Sequence, residues 1–525
     1  MLAADCPRRQ ARRLRWLCPP WDEQHPDWLR LDRDLPQDHR ARLIDRFVDQ
    51  LDLRPYLYDF CKGFGSASWH PALLLKVALY EQDRKVLSPA QWHRDGAEHT
   101  PLMWLTRGAR PCRSALYDCR RRLCPELLEQ LNGQVLLAAQ NEQFCPGRRG
   151  SLDGTFTAAR GSRHQLLNLG RLDKRLSLLQ SAVAGDRAGV PPPRRPRWMA
   201  RTAGGRHQQQ QRYQDARRRL LAKIARHDRQ QARRAKSKRR PASRVVVSAS
   251  EPEAAVGKDK HKVLRPLYDT QLLRDLDSPF LLGYGVFAAA TDAGLLPEML
   301  RRTARQAGRL PEELLADAIY ASVADLRACR DAGVVLYAAL KAGTAARPAG
   351  AAEQGSRRQP LPLLPPPPPG RRGYYGKEQF VWDEPSQSYT CPAGQVLERL
   401  GRGKEGRVNG GEVAVEKYGT KACQGCPQRP ACTRSQYGRK IKRLVEEPLL
   451  HELRQRMGSA AGQQLYRLRQ QTVELAFADA AEHRGLRRFS GFGLRLAQTQ
   501  VGLLVLLHNG KALMHCRQAA GVPAA

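Results

Sequence analysis

The sequence predicts an α/β core preceded by a helical region. Three observations lead there. Apolar, β-branched runs recur at 245–247, 281–290, 314–317 and 333–339, with helix-like stretches at 296–307 and 322–332 between them. That alternation marks an α/β sheet. Residues 38–143 carry helical periodicity instead. The chain has 525 residues, too many for one typical core and enough for about two to four domains.

Residues 1–37 are basic, contain Pro and Trp, and are expected to be loosely ordered. Beyond them Leu43, Ile44, Phe47, Val48 and Leu51 share one helical face. Pro71 stands near the start of a second helix, where its missing N–H costs little. Further helix starts lie at Ser88-Pro89 and Cys112-Arg113, the latter leading into Arg120, Arg121 and Arg122. Short helices ending in an Arg-rich one suit a DNA-binding unit of helix-turn-helix type, with Arg120 and Arg121 on phosphates. The alternative is a helical bundle with a solvated basic face. Residues 144–190 open a new unit around Asp153.

Residues 191–244 are basic and of low complexity, with almost no acids. A basic helix is expected over 213–238, solvated when alone and ordered on phosphates. Arg217 and Arg218 are its candidate phosphate contacts, which position a chain on DNA but read no sequence. The α/β pattern continues over 245–340. Residues 341–445 hold a Pro-rich spacer at 360–369 and a group of cysteines; 446–518 is helical again, and 519–525 is a tail.

The net charge of +38 is the decisive bulk property. So large a charge repels itself unless a polyanion is near, and nucleic acid is the natural partner. An Arg-rich composition inherited from the genome is the bland alternative. The longest apolar run, 501–507, is too short to span a bilayer and reads as a buried helix. No secretory leader is expected from the first residues, which places the chain in the cytoplasm. The 13 cysteines are then thiols or metal ligands rather than disulfides.

Three carboxylates carry the chemistry. Asp153 lies in a short strand-like run, Ser151-Leu152-Asp153-Gly154-Thr155. Asp317 ends an apolar run, and Glu474 lies in a stretch from Tyr466 to Phe477 that reads as one helix. Two strand-end aspartates and a helical glutamate suit a site for two Mg²⁺ or Mn²⁺ ions, roughly 3.5–4 Å apart, in phosphoryl transfer. Arg469 is placed to neutralise a phosphate, and Tyr466 to flank the site. Asp292 is a competing acid beside a strand end. Cys423 and Cys426 form a CxxC turn, and Cys432 and Cys391 complete four thiolates for a structural zinc. Free or redox-active thiols are the other reading.

These motifs, in this order, resemble the DDE transposases of bacterial insertion sequences, in the IS4-like group and most closely the IS1182 type. The matching segments are Trp69-His70-Pro71, Ser151-Leu152-Asp153-Gly154-Thr155, Ala316-Asp317 with Tyr320, Tyr466 with Arg469 and Glu474, the 501–509 helix and the four cysteines. The resemblance implies an RNase H-like catalytic fold, an N-terminal DNA-binding region, an insertion between Asp317 and Glu474, and homodimers that pair two DNA ends. It implies Asp153, Asp317 and Glu474 as the catalytic, metal-holding triad, acting on double-stranded DNA at element ends and target. Two departures stand out: Ala481 replaces a Lys of the family pattern, and Ile319 replaces a small residue. Arg484 or Arg487 stands near enough to substitute for that Lys. The competing readings are a catalytically inactive, zinc-stabilised DNA-binding descendant, and a nuclease of the same fold acting on RNA or DNA junctions.

Overall fold

A computed structural model describes residues 14–61, 67–190, 194–232, 234–259, 262–339, 374–406, 412–445, 447–469 and 472–521. The expected Pro-rich spacer at 360–369 lies outside them. The chain forms two compact units, one of residues 1–337 with 464–525 and the other of 338–463.

The first unit begins with helices α1 (Pro26–Asp34), α2 (Arg40–Asp49), α3 (Pro71–Asp83), α4 (Pro89–Glu98), α5 (Thr100–Leu105), α6 (Arg113–Arg122) and α7 (Pro125–Asn141). Proline opens α1, α3, α4 and α7, its fixed φ suiting the first helical turn. Histidine caps three helices: the side chains of His25, His39 and His70 accept from the backbone two residues on. The expected loose N-terminus does not extend to residue 37. Trp28 of α1 stacks on Trp104, with ring centroids 6.1 Å apart, and Asp32 accepts from Arg42 at 2.7 Å. A large aromatic surface needing cover outweighs the Pro and Arg content of this stretch.

Strand β1 (Arg149–Ala158) follows, then helices α8 (Leu169–Arg187) and α9 (Ala203–Ala232). The basic helix is therefore present, but it is not a solitary solvated rod. Tyr213, Ala216 and Leu220 of α9 are buried with Leu172, Leu176 and Leu179 of α8. Five further strands complete a six-stranded sheet: β2 (Ala255–Lys258), β3 (Leu264–Asp275), β4 (Leu281–Phe287), β5 (Glu313–Ala316) and β6 (Val335–Ala338). The order runs β6-β5-β1-β3, with β2 and β4 both pairing to β3. β3 is antiparallel to β1 and β4, while β5 is parallel to β1. Helix α10 (Leu296–Ala307) joins β4 to β5, and α11 (Val323–Asp331) joins β5 to β6.

β3 is the longest strand, and the sequence reading did not anticipate it. Asp269, Thr270 and Gln271 stand in its middle and are buried. A strand covered on both faces loses the in–out alternation of a half-exposed strand, and here buried polar groups also erase the apolar run.

The second unit carries an antiparallel five-stranded sheet, β7 (Val381–Asp383), β8 (Ser388–Thr390), β9 (Val396–Gly406), β10 (Glu412–Gly419) and β11 (Lys440–Leu444), paired in that order. Its core gathers Tyr375, Phe380, Tyr389, Leu397, Tyr418 and Ile441. Helix α12 (Glu447–Gly458) follows.

Helices α13 (Ala460–Arg467), α14 (Val473–His483) and α15 (Leu494–Ala519) end the chain. The single helix expected from Tyr466 to Phe477 is thus two. Thr472 marks the break: its hydroxyl donates to the carbonyls of Leu468 and Arg469, both at 3.1 Å, and its carbonyl accepts from Arg274 at 2.9 Å. Thr side chains compete in this way with helical bonding. Val473, Ala476 and Ala480 of α14 and Ala497, Val501, Leu504 and Val505 of α15 pack with Tyr268 and Leu272 of β3. This face of the sheet also carries Asp153, which pairs directly with Leu272.

Candidate catalytic site on the first unit

Asp153 sits in the middle of β1, flanked by β3 and β5. Parallel pairing aligns Arg149 with Glu313, Gly150 with Leu314 and Ser151 with Leu315. The paired stretch ends there; Asp153 and Asp317 each follow two residues later, and the Asp317 carboxylate acts on that of Asp153. Asp317 stands one residue past β5, exposed, and its carboxylate caps the following turn by accepting from the Ala318 amide at 2.6 Å. Tyr466 of α13 donates its hydroxyl to the Ala316 carbonyl at 3.2 Å, which ties that helix to the residue before Asp317.

Glu474 lies in the first turn of α14, with about half of its side chain exposed. Arg469 joins it to Asp153. One guanidinium nitrogen stands 3.2 Å from Asp153 Oδ1 and the other 3.8 Å from Glu474 Oε1. Only 12% of the Arg469 side chain is exposed, and its Nε has no partner among the described residues. Burial pushes the Asp153 carboxyl above its ordinary value. Arg469 and the Gly154 amide pull it back, and the Asp292 and Asp317 carboxylates add to the rise.

The opposite face of β1 carries a buried network. Gln271 of β3 donates to Asp269 and to Asp292, both at 2.8 Å, and accepts from the Tyr320 hydroxyl. Asp269, Gln271 and Tyr320 are fully buried. Burial raises the Asp269 carboxyl above its ordinary value, and the Asp292 carboxylate raises it further. A Cβ on Gly154 would collide with Gln271 and Asp292, so glycine is required there. Asp292 is thereby held behind the strand, away from the Asp153 face. The network escaped the sequence reading; its one signal was the pair of polar residues Asp269 and Gln271, spaced by two in an otherwise apolar segment.

Arg120, Arg121, Arg217 and Arg218, expected on DNA, are engaged within the protein. Arg120 is half-buried, donates to the Leu87 carbonyl at 3.2 Å and lies over the Tyr117 ring. Arg121 pairs with Asp118, Arg217 with Asp173 and Arg218 with Asp215. Neither proposed substitute for the missing Lys is free. Arg484 pairs with Asp83 of α3 and Asp479, and Arg487 with Glu482.

In the second unit Cys391, Cys423, Cys426 and Cys432 line one small cavity. Burial pushes the Cys432 thiol up to about 11, and the other three cysteines contribute. Among the described residues, no three His, Cys, Asp or Glu side chains converge closely enough to hold a metal. That holds for the acids on the first unit and for these thiols alike.

Residues 29–122 match the Transposase domain (DUF772) family, and residues 390–514 match the Transposase DDE domain family. The two matches support a DDE transposase. The two matches together are typical of the IS1182 type. The DDE-domain match contains Glu474, Arg469 and the four cysteines; Asp153 and Asp317 lie upstream of it. The N-terminal match begins inside α1, in the stretch expected to be loose. No curated protein matches the chain. DNA is the partner a transposase implies, and no helix among the described residues is long and apolar enough to cross a membrane.

Proposed function

We propose that this transposase cleaves DNA strands at the ends of its element and joins the freed 3′ ends to target DNA, with Asp153, Asp317 and Glu474 as its acidic triad. The observation that supports this reading is Arg469, which spans from Asp153 to Glu474, with the Asp317 carboxylate acting on that of Asp153. Arg469 touches two of the three acids, and the third acts electrostatically on Asp153. Strand order supports an RNase H-like core: three antiparallel strands, β1, β3 and β4, are extended on the other side of β1 by β5 and β6.

The donor set is made of carboxylate oxygens, which suits Mg²⁺ or Mn²⁺. Asp153, Asp317 and Glu474 would hold the ions. When bound, such ions stabilise the attacking and leaving oxygens of an in-line displacement. The protein's own groups do the positioning. Arg469 neutralises Asp153 and Glu474 and presents an always-charged fork to a scissile phosphate. Tyr466 holds the Ala316 carbonyl and so fixes the start of the Asp317 turn. Gln271 and Tyr320 brace that turn from behind.

Two copies pair the two ends. Cys391, Cys423, Cys426 and Cys432, which line one cavity, would hold a structural zinc once drawn closer together, since four thiolates suit a tetrahedral site. A nicking assay on a duplex carrying the inverted repeats that border the gene tests the main reading. Asp317→Ala is expected to abolish cleavage in Mg²⁺ with DNA binding intact, and cleavage at the unsubstituted rate would remove Asp317 from the site.

A further inference from the structure

The α8–α9 hairpin carries a cleft of about 590 Å³ that the catalytic reading leaves unused. Its walls include Arg197, Trp198, Arg201, Gln209, Arg212 and Tyr213, and no Asp or Glu lines it. We infer that this cleft is a docking site for the phosphodiester backbone of duplex DNA, held by Arg197, Arg201 and Arg212.

The charge pattern is the first argument. Along α9 four other arginines are neutralised internally. Arg206 pairs with Asp186, Arg217 with Asp173, and Arg218 and Arg219 with Asp215. Arg197, Arg201 and Arg212 are exposed, and among the described residues none has a carboxylate partner. Three unpaired guanidiniums around one concave surface repel one another and are relieved by a polyanion. A guanidinium also matches phosphate geometry in a two-pronged bond.

The second argument is that the segment 195–201, which carries two of these arginines, is built, not merely basic. Buried Gln209 accepts from the Ala200 amide and donates to the Trp198 carbonyl, both at 2.8 Å. Arg195 donates to the Met199 carbonyl. Trp198 stacks on Tyr213 with centroids 6.0 Å apart, and Arg175 lies 5.0 Å from the Trp198 ring. Specific bonds therefore hold the loop in shape while three cations are left facing solvent. Pre-ordering of this kind lowers the entropy lost on binding. At 1.5 Å per residue α9 is about 45 Å long, more than one turn of duplex, so the cleft and the rest of the helix can follow one backbone.

This inference rests on DNA being the substrate, and the test separates the two. The full chain is titrated against a fluorescein-labelled duplex of about three helical turns, by anisotropy, at a series of KCl concentrations from about 50 to 200 mM. Each phosphate contact contributes about −0.9 to the slope of log Kobs against log salt. The triple variant Arg197→Gln, Arg201→Gln, Arg212→Gln is expected to lose roughly 2 to 3 from that slope, which makes its affinity about forty-fold less salt-sensitive across the range. Replacing the same three with Lys is expected to keep most of the slope, because the charge remains. The pair Arg217→Gln, Arg218→Gln is expected to change it by less than about 1. Circular dichroism checks that each variant is folded; if the triple is not, the three single variants are expected to lose about 1 each. An unchanged slope in the variants, or an equal loss in the Arg217/Arg218 pair, overturns the cleft. No binding by the unsubstituted protein overturns the DNA reading, and the cleft with it.

Discussion

Arg469→Met is the most direct probe of how the acids are gathered. Arg469 and Asp153 are 12% and 22% exposed and meet at 3.2 Å. Their gross attraction is about 5 kcal/mol at an effective dielectric near 20. Desolvation offsets much of that, and a hydrogen bond to a charged group is worth about 1.5–3 kcal/mol net. The longer contact to half-exposed Glu474 adds no more than about 0.5 kcal/mol. Arg469→Met should therefore destabilise the first unit by about 2–3 kcal/mol at pH 7. A double-mutant cycle with Asp153→Asn should return a coupling of about 1.5–3 kcal/mol. The pH dependence has a definite sign. The folded carboxyl of Asp153 is raised above its unfolded value of 3.8, so its contribution to stability is full below that value and declines as pH rises through the folded one. Losing Arg469 raises the folded value further, so the variant should lose more stability at pH 7 than at pH 4. Urea unfolding followed by tryptophan fluorescence measures all four proteins. Millimolar Mg²⁺ should shrink the coupling, because a cation bound by Asp153 competes with Arg469 for the same charge. A coupling under about 0.5 kcal/mol, or one indifferent to both pH and Mg²⁺, refutes the reasoning.

Asp317→Asn should leave stability within about 0.5 kcal/mol, since the side chain is exposed, yet remove strand cleavage; a nicking assay beside a melting curve checks both. Tyr466→Phe deletes one bond to the Ala316 carbonyl and should destabilise by about 1 kcal/mol while slowing cleavage more than it weakens DNA binding. Gln271→Leu strands the Tyr320 hydroxyl and two acids inside the protein, and unfolding should become easier by about 1–3 kcal/mol or more. Asp269→Asn should flatten the pH dependence of stability. Its folded carboxyl is raised, so the unsubstituted protein loses stability as pH climbs above the ordinary carboxylate range and the variant does not. Metal analysis of the purified chain should find one zinc, and Cys391→Ser should lower it; a zinc-free protein with an intact second unit ends that assignment.

What the sequence determined by itself was local. Helical periodicity and prolines at helix starts located α2, α3 and α4, and apolar runs located β4, β5 and β6. The triad residues stood out because short motifs around Asp153, Asp317 and Glu474 are continuous in sequence. Tertiary structure decided what depends on long-range pairing. Arg469 reaches Asp153 across more than 300 residues of sequence, and Arg274 of β3 bonds the Thr472 carbonyl between α13 and α14. β3 was illegible because both its faces are buried and its polar residues find partners far off in sequence, such as Tyr320 for Gln271. The basic residues show the same limit. Sequence counts every arginine alike, whereas folding pairs Arg217 and Arg218 with Asp173 and Asp215 and leaves Arg197, Arg201 and Arg212 to meet a phosphate.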